Sequence, residues 1–175
     1  ESLQGNYIAG VYYPDKTRVG WWKNGYPEFF AKVLNAPNWI GIDITIDGTQ
    51  LDLHNLEVLQ FRRVLNMKHG FLERTFRVKL DDLRQVEVRT KRFLSIVDDE
   101  IGAIRYTVTP LNFDATIAFT PYLDGNVHNQ DSNYDEFFWK HIESTAAAGA
   151  LYLVSETRKS GFRVAFATRY ELFVD

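Results

Sequence analysis

Residues 40–48 read IGIDITIDG, and this stretch decides the class of fold. Isoleucine occupies every second position from Ile40 to Ile46, and glycine, aspartate and threonine fill the positions between. Because side chains of a β-strand point alternately to opposite faces, the pattern predicts a strand with one buried face. Asp47 and Gly48 tolerate positive φ and predict a hairpin turn directly after it.

The same alternation recurs along the chain and predicts further half-buried strands. The apolar faces are Leu72, Phe76, Val78 and Leu80; Ile104, Tyr106 and Val108; and Phe162, Val164, Phe166, Tyr170, Leu172 and Val174. Between Val88 and Phe93 the alternation changes phase, which predicts a β-bulge or bend near residues 90–92. Strands that follow one another at short spacing, with turn residues between them, indicate an all-β, antiparallel β-sandwich rather than βαβ units.

Two short helices are also predicted. Residues 27–34 begin with Pro27, which the first turn of a helix tolerates, and carry apolar side chains at helical spacing. Ser132 or Asn133 is suited to cap a second turn, which would contain Tyr134, Phe137, Phe138 and Ile142.

Length and composition bound the protein class. The 175 residues fit one domain, and 45% hydrophobic with 15% aromatic residues provide a substantial core. The net charge of −3, without a basic run, argues against nucleic acid as a partner, and no apolar run approaches membrane-spanning length. The chain has no cysteine, which excludes disulfides and thiol chemistry. Its only methionine is Met67, so no initiator methionine is present, and we expect residues 1–175 to be a partial domain cut at both ends from a longer protein.

No catalytic or metal site is predicted within the chain. The four histidines are scattered without metal-ligand spacing, and no nucleophile or phosphate-binding motif is present. A pair of carboxylates can cleave a glycosidic bond, but Asp98, Asp99 and Glu100 lie between two predicted strands, where a solvated loop is the better interpretation.

Polar side chains concentrate in residues 123–136, LDGNVHNQDSNYDE. Carboxylates and amides of this kind form Asx turns and helix caps, coordinate calcium, or bind sugar hydroxyls, and the spacing does not match an EF-hand. All three interpretations stay open. The candidates for a substrate-proximal or interdomain position are Asp124, Asn126, Asn129 and Asp131.

A second candidate segment surrounds two adjacent tryptophans. Trp21 and Trp22 precede Lys23 and Asn24, and neighbouring side chains of a strand point to opposite faces. Both indoles therefore do not fit easily into one core. Packing in the core or against another domain, and direct contact with a sugar ring, both remain open for these four residues.

The order of several short motifs resembles the N-terminal β-domain of glycoside hydrolase family 65. The motifs are residues 5–13 (GNYIAGVYY), 35–42 (NAPNWIGI), 46–48 (IDG), 62–70 (RRVLNMKHG), 72–76 (LERTF), 92–95 (RFLS), 103–113 (AIRYTVTPLNF), 123–129 (LDGNVHN), 131–136 (DSNYDE) and 138–139 (FW). They cover nearly the whole chain, and the last three are similar to the maltose-phosphorylase branch.

The resemblance implies a β-supersandwich of the galactose mutarotase-like type, followed in the same polypeptide by a catalytic (α/α)6 barrel. It implies an enzyme that cleaves maltose, trehalose or kojibiose, mostly by inverting phosphorolysis, with inorganic phosphate as co-substrate and no other cofactor. The general acid is expected in the barrel, so no glutamate here inherits that role. A homodimer is a further expectation. A hydrolase and a free-standing carbohydrate-binding sandwich are the alternatives.

The chain departs from the family pattern at its ends. The family domain normally begins upstream with a glycine-rich segment and continues beyond the position of Asp175. Missing strands would leave open sheet edges and exposed apolar faces, so we expect an isolated fragment to be prone to aggregation.

Overall fold

The computed structural model describes residues 5–17, 25–129 and 136–174. The regular elements of these residues are all β-strands, and the pairings with a defined register are antiparallel, which confirms the predicted fold class. No helix long and apolar enough to cross a membrane occurs in this part of the chain. The strands are β1 Tyr12–Lys16, β2 Phe29–Val33, β3 Asn38–Ile46, β4 Thr49–Gln50, β5 Glu57–Asn66, β6 Phe71–Lys79, β7 Gln85–Leu94, β8 Gly102–Pro110, β9 Ile117–Asp124, β10 Trp139–Ala147, β11 Ala150–Thr157 and β12 Arg163–Arg169.

The strands form four sheets with the orders β1-β2, β4-β3-β9, β5-β6-β7-β8 and β10-β11-β12. Contacts along the chain define two compact units. The first unit comprises Glu1–Gly41 and Pro121–Asp175, and the second comprises Ile42–Thr120.

The second unit is a two-sheet sandwich around the isoleucine face of β3. Ile44 and Ile46 pack against one face of the four-stranded sheet, on which the buried residues are Phe76, Val78, Val86 and Val88. The predicted hairpin turn is confirmed, because Asp47 and Gly48 have φ values of 47° and 80°, and Ile46 pairs with Thr49. The Asp47 carboxylate also accepts a hydrogen bond from Thr116 N at 2.9 Å, which ties this turn to the start of β9.

The first unit has its own core of aromatic and aliphatic side chains. Tyr13 meets Phe138 edge to face, with ring centroids 4.7 Å apart, and Leu34, Ala36 and Trp139 complete the buried cluster. Val164 and Phe166 of β12 pack against it. Two sheets, β1-β2 and β10-β11-β12, thus supply its core.

The predicted helix over residues 27–34 is wrong. Residues Phe29–Val33 form β2, which pairs with β1 and places Lys32 opposite Tyr13. Thr17 N donates to Glu28 O at 2.9 Å, and the Lys32 ammonium lies 2.8 Å from the Asp15 carboxylate. Cross-strand partners satisfy the backbone, so pairing overrides the helical spacing of the apolar side chains.

Two further local predictions are also wrong. The second predicted helix begins in residues 132–135, which lie outside the described residues, but its remainder is the non-helical segment before β10 and β10 itself, which contains Ile142. No bulge occurs at residues 90–92, since β7 pairs without a shift on both sides. The register shifts instead at Val58/Gln60 in β5 and at His141/Glu143 in β10.

The last strand is shorter than its apolar pattern predicts. Strand β12 ends at Arg169, and Tyr170, Leu172 and Val174 are exposed and follow it without strand structure. The alternation persists in the sequence, but only the portion that pairs with β11 forms a strand.

Gly41 in β3 allows close packing by an aromatic ring. A Cβ atom at this position would lie 2.8 Å from Cε1 of Tyr122 in β9 and closer still to two other ring atoms. We expect Gly41→Ala to lower the free energy of unfolding by about 1–3 kcal/mol, the usual effect of overpacking. Chemical denaturation should show a smaller loss for the same change in a Tyr122→Ala background. Additive losses would contradict this packing.

A turn between β6 and β7 holds a carboxylate with a depressed pKa. The backbone N–H groups of Arg84 and Leu83 donate to the Asp81 carboxylate, and the Arg84 guanidinium donates to it at 2.6 Å. These hydrogen bonds, with those from Arg84 the largest cause, lower the Asp81 pKa from 3.8 to about 2. A group with a lowered folded-state pKa stabilises the fold above its ordinary pKa, and this contribution is lost as the pH falls toward 2. We expect Asp81→Asn to make the acid dependence of unfolding shallower between about pH 4 and pH 2, as chemical denaturation at a series of pH values would show.

Candidate functional site

The structure describes three of the eight predicted site residues. Trp21, Trp22, Lys23, Asn24 and Asp131 lie outside the described residues, so their proposed contacts stay predictions. Asp124, Asn126 and Asn129 follow one another at and after the end of β9, in the first unit.

Asp124 and Asn126 form a tight turn in an exposed position. The Asn126 backbone N–H donates to Asp124 Oδ1 at 2.8 Å, which is the Asx turn that one interpretation of this segment predicts. Gly125, between them, packs closely, since a Cβ there would lie 3.2 Å from Ser155 Oγ and 3.3 Å from a Leu153 methyl group. The backbone is therefore held against β11 while the Asn126 side chain faces outward.

Asn129 occupies a buried position with its amide group in use. It is 5% exposed, its Oδ1 accepts from Asn35 N at 2.8 Å, and its Nδ2 donates to Val33 O at 2.9 Å. The side chain thus pairs backbone groups at the end of β2. A contact of Asn129 with ligand stays a prediction, and what the structure shows is an architectural role.

Asn35 is the centre of this network, although it is not among the predicted site residues. Its Nδ2 donates to His128 O at 3.0 Å, its Oδ1 accepts from Asn6 N at 2.9 Å, and its carbonyl accepts from Trp139 Nε1 at 2.8 Å. Because buried polar groups need partners, one asparagine fixes three separate segments. The sequence signal that could have indicated this role is the position of a polar residue, Asn35, between the apolar Leu34 and Ala36, which are both buried.

A second polar cluster lies beside the core of the first unit. The Tyr13 hydroxyl donates to Glu136 Oε1 at 3.1 Å, and Lys159 Nζ lies 3.3 Å from the same oxygen and 4.7 Å from the Tyr13 ring centroid. Burial raises the pKa of Tyr13, and the Glu136 carboxylate raises it further. Desolvation works to lower the pKa of Lys159, but hydrogen bonding and the charges of Glu136 and Tyr13 leave it raised.

These shifts favour a structural role for the cluster. At neutral pH the tyrosine stays protonated as a hydrogen-bond donor and the lysine stays charged, so neither is poised to act as a base. Within the described residues, no group of three or more histidine, aspartate or glutamate side chains could hold a metal ion.

The described part of the chain is therefore an antiparallel β-domain whose buried amides fix loops in place. Its sequence matches the family described as "Glycosyl hydrolase family 65, N-terminal domain" over residues 1–175. The chain belongs to this family.

Relatives of known name agree with this membership. The chain is 49% identical over 162 residues to a maltose phosphorylase of Bacillus subtilis, covering 93% of this chain and 21% of that protein. It is 32% identical over 186 residues to an α,α-trehalose phosphorylase of Thermoanaerobacter brockii, covering 99% of this chain and 24% of that protein. The solved structure of a protein described as a candidate kojibiose phosphorylase from the human microbiome superposes with a TM-score of 0.83 at 21% identity, covering all of this chain and 23% of that one. This chain thus spans about a fifth to a quarter of their length.

The buried amide network gives a direct mutational test. We expect Asn129→Ala to destabilise the protein by about 1–3 kcal/mol, because it leaves the buried Asn35 N–H without an acceptor and removes the donor to the Val33 carbonyl. Asn126→Ala, at an exposed side chain three residues away, should stay within about 0.5 kcal/mol. Chemical denaturation measures both effects, and equal losses of unfolding free energy for the two variants would show that the network contributes little to stability.

Proposed function

We propose that this chain is the N-terminal domain of a longer phosphorylase that cleaves an α-linked glucose disaccharide, with maltose as the first candidate substrate. The observation that carries this proposal is the 49% identity to a maltose phosphorylase, against 32% to a trehalose phosphorylase. The structural likeness at 21% identity supports the fold alone.

In this proposal the chemistry takes place outside these 175 residues. The catalytic (α/α)6 domain supplies the general acid and binds inorganic phosphate as co-substrate. The relatives are four to five times as long as this chain, which leaves room for such a domain in the same polypeptide.

The domain itself packs on the catalytic domain and shapes the mouth of its active site. This role is supported by the way the candidate segment is anchored. On one side Asn129 is hydrogen-bonded to the end of β2, and on the other Glu136 is paired with Tyr13 and Lys159. Anchors at Asn129 and Glu136 suit a segment that has to keep one position against a neighbouring domain. Trp21, Trp22, Lys23, Asn24, Asp124, Asn126 and Asp131 are the proposed substrate-proximal or interdomain side chains.

An assay of the full-length protein tests the proposed activity. With maltose, we expect glucose and β-glucose 1-phosphate to form only when inorganic phosphate is added. Trehalose and kojibiose serve as matched substrates, and faster cleavage of either would change the assigned disaccharide. Cleavage without phosphate would make the parent a hydrolase, and failure to cleave any of the three would remove the proposal.

A further inference from the structure

One face of the four-stranded sheet carries arginines without acidic neighbours. Partner residues in an antiparallel ladder share a face, so the register places Arg63, Arg74 and Arg92 on the same face as the buried Phe76 and Val88. Arg63 in β5 lies directly opposite Arg74 in β6. Arg92 lies two residues along β7 from Thr90, the residue opposite Arg74, and is therefore a diagonal neighbour of Arg74. No aspartate or glutamate of β5, β6, β7 or β8 shares this face. These three residues are termed the arginine triad.

The like charges of the triad repel one another, and Arg74 forms a hydrogen bond with the Tyr106 hydroxyl rather than with a carboxylate. Arg74 is half-buried over the Phe76 ring, with its Cζ 5.2 Å from the ring centroid, and its Nε is buried without a hydrogen-bond partner. Partial desolvation lowers the pKa of Arg92, and the charges of Arg74 and Arg63 lower it further. Like charges opposite each other on a sheet are destabilising, so this arrangement calls for an anionic group.

The opposite face of the same sheet provides the contrast. There Glu87 pairs with Arg89 at 2.8 Å and with Arg77 at 3.3 Å, and the register places Glu73 opposite Lys91, so this face carries acidic residues among its cations. The nearest acids along the chain from Arg92 are Asp98, Asp99 and Glu100. They are exposed in the β7–β8 loop and form no ion pair with the triad.

Apolar side chains surround the triad at the same end of the sheet. Leu65 and Leu94 flank it on the same face and are 64% and 66% exposed. Beyond them, Ile96 and Val97 in the β7–β8 loop are 95% and 90% exposed. Grouped exposed apolar side chains mark surfaces that another polypeptide covers, and arginine is enriched at such surfaces.

We propose that the arginine triad and its apolar rim dock an acidic segment of the same polypeptide, located beyond residue 175 in the full-length enzyme. This inference rests on the proposed function, because that proposal places these residues in a chain four to five times as long. Each guanidinium would donate two parallel N–H hydrogen bonds to the carboxylate oxygens of an aspartate or glutamate, and aliphatic neighbours of that residue would lie over Leu65 and Leu94. The exposed side chains of Leu65 and Leu94 beside the guanidinium groups suit a polypeptide better than a small anion, which makes no apolar contact.

A zero-length cross-link in the full-length protein tests the contact. Arg92→Lys keeps the charge and provides an amine that a carbodiimide couples only to a touching carboxylate. Arg105→Lys is the matched control, since Arg105 is exposed on the opposite face of β8, in the strand next to β7. We expect the lysine at 92, and not the one at 105, to join an aspartate or glutamate beyond residue 175 of the same molecule. In the unsubstituted protein, Arg63 and Arg92 should react with phenylglyoxal about tenfold more slowly than Arg105, because modification then requires local opening.

The other outcomes overturn the inference. A cross-link to Asp98, Asp99 or Glu100, or to any other residue of this chain, would mean an internal counterion. A cross-link between isotope-labelled and unlabelled molecules would mean a second copy, and equal reactivity of Arg92 and Arg105 without a cross-link would mean an open surface. Protection that appears only on addition of phosphate would mean a small anion. The cross-link needs neither substrate nor turnover, so its failure and a failure of the phosphorolysis assay are told apart.

Discussion

The need to satisfy buried amides organises the first unit of this domain. The side chains of Asn35, Asn129 and Trp139 form hydrogen bonds of 2.8–3.0 Å with backbone groups at the end of β2 and in the segment after β9, and Trp139 thereby ties the start of β10 to them. Unpaired, each buried group would cost about 1–3 kcal/mol, so segments far apart in sequence are held together. The candidate residues Asp124 and Asn126 lie just before Asn129 in the chain, which is why the network and the proposed function are linked.

The core of the second unit is built from strands in which apolar residues alternate with polar ones, and at one end of its four-stranded sheet arginines replace the apolar residues. Its core closes where the isoleucine face of β3 meets Phe76, Val78, Val86 and Val88. Further along the same face the apolar residues give way to arginine, at Arg74 and Arg92. One sheet thus supplies both a packed core and an uncovered basic surface. In the proposed docking contact, the chain beyond residue 175 completes that face.

Predictions from sequence succeeded where one local pattern had one structural meaning. The Ile40–Ile46 alternation and the Asp47-Gly48 turn are observed as predicted, because strand pleat and positive φ are local constraints. The helix at residues 27–34 failed because helical spacing and strand pairing compete for the same apolar residues, and β1 decides between them. The bulge near residues 90–92 failed because the phase change reflects Thr90 and Arg92 on the inner face of a regular strand.

The sequence by itself determined the all-β class, the main strands and the family, since these depend on period-two burial and on motif order. It also placed Asp124 and Asn126 in a turn, an interaction between near neighbours. Only the tertiary structure decided that Asn129 is buried, that Asn35 is the hub of the amide network, and that Arg63, Arg74 and Arg92 share a face. Those properties depend on strand register and on partners up to about a hundred residues away, and no local pattern encodes which backbone group a distant amide will meet.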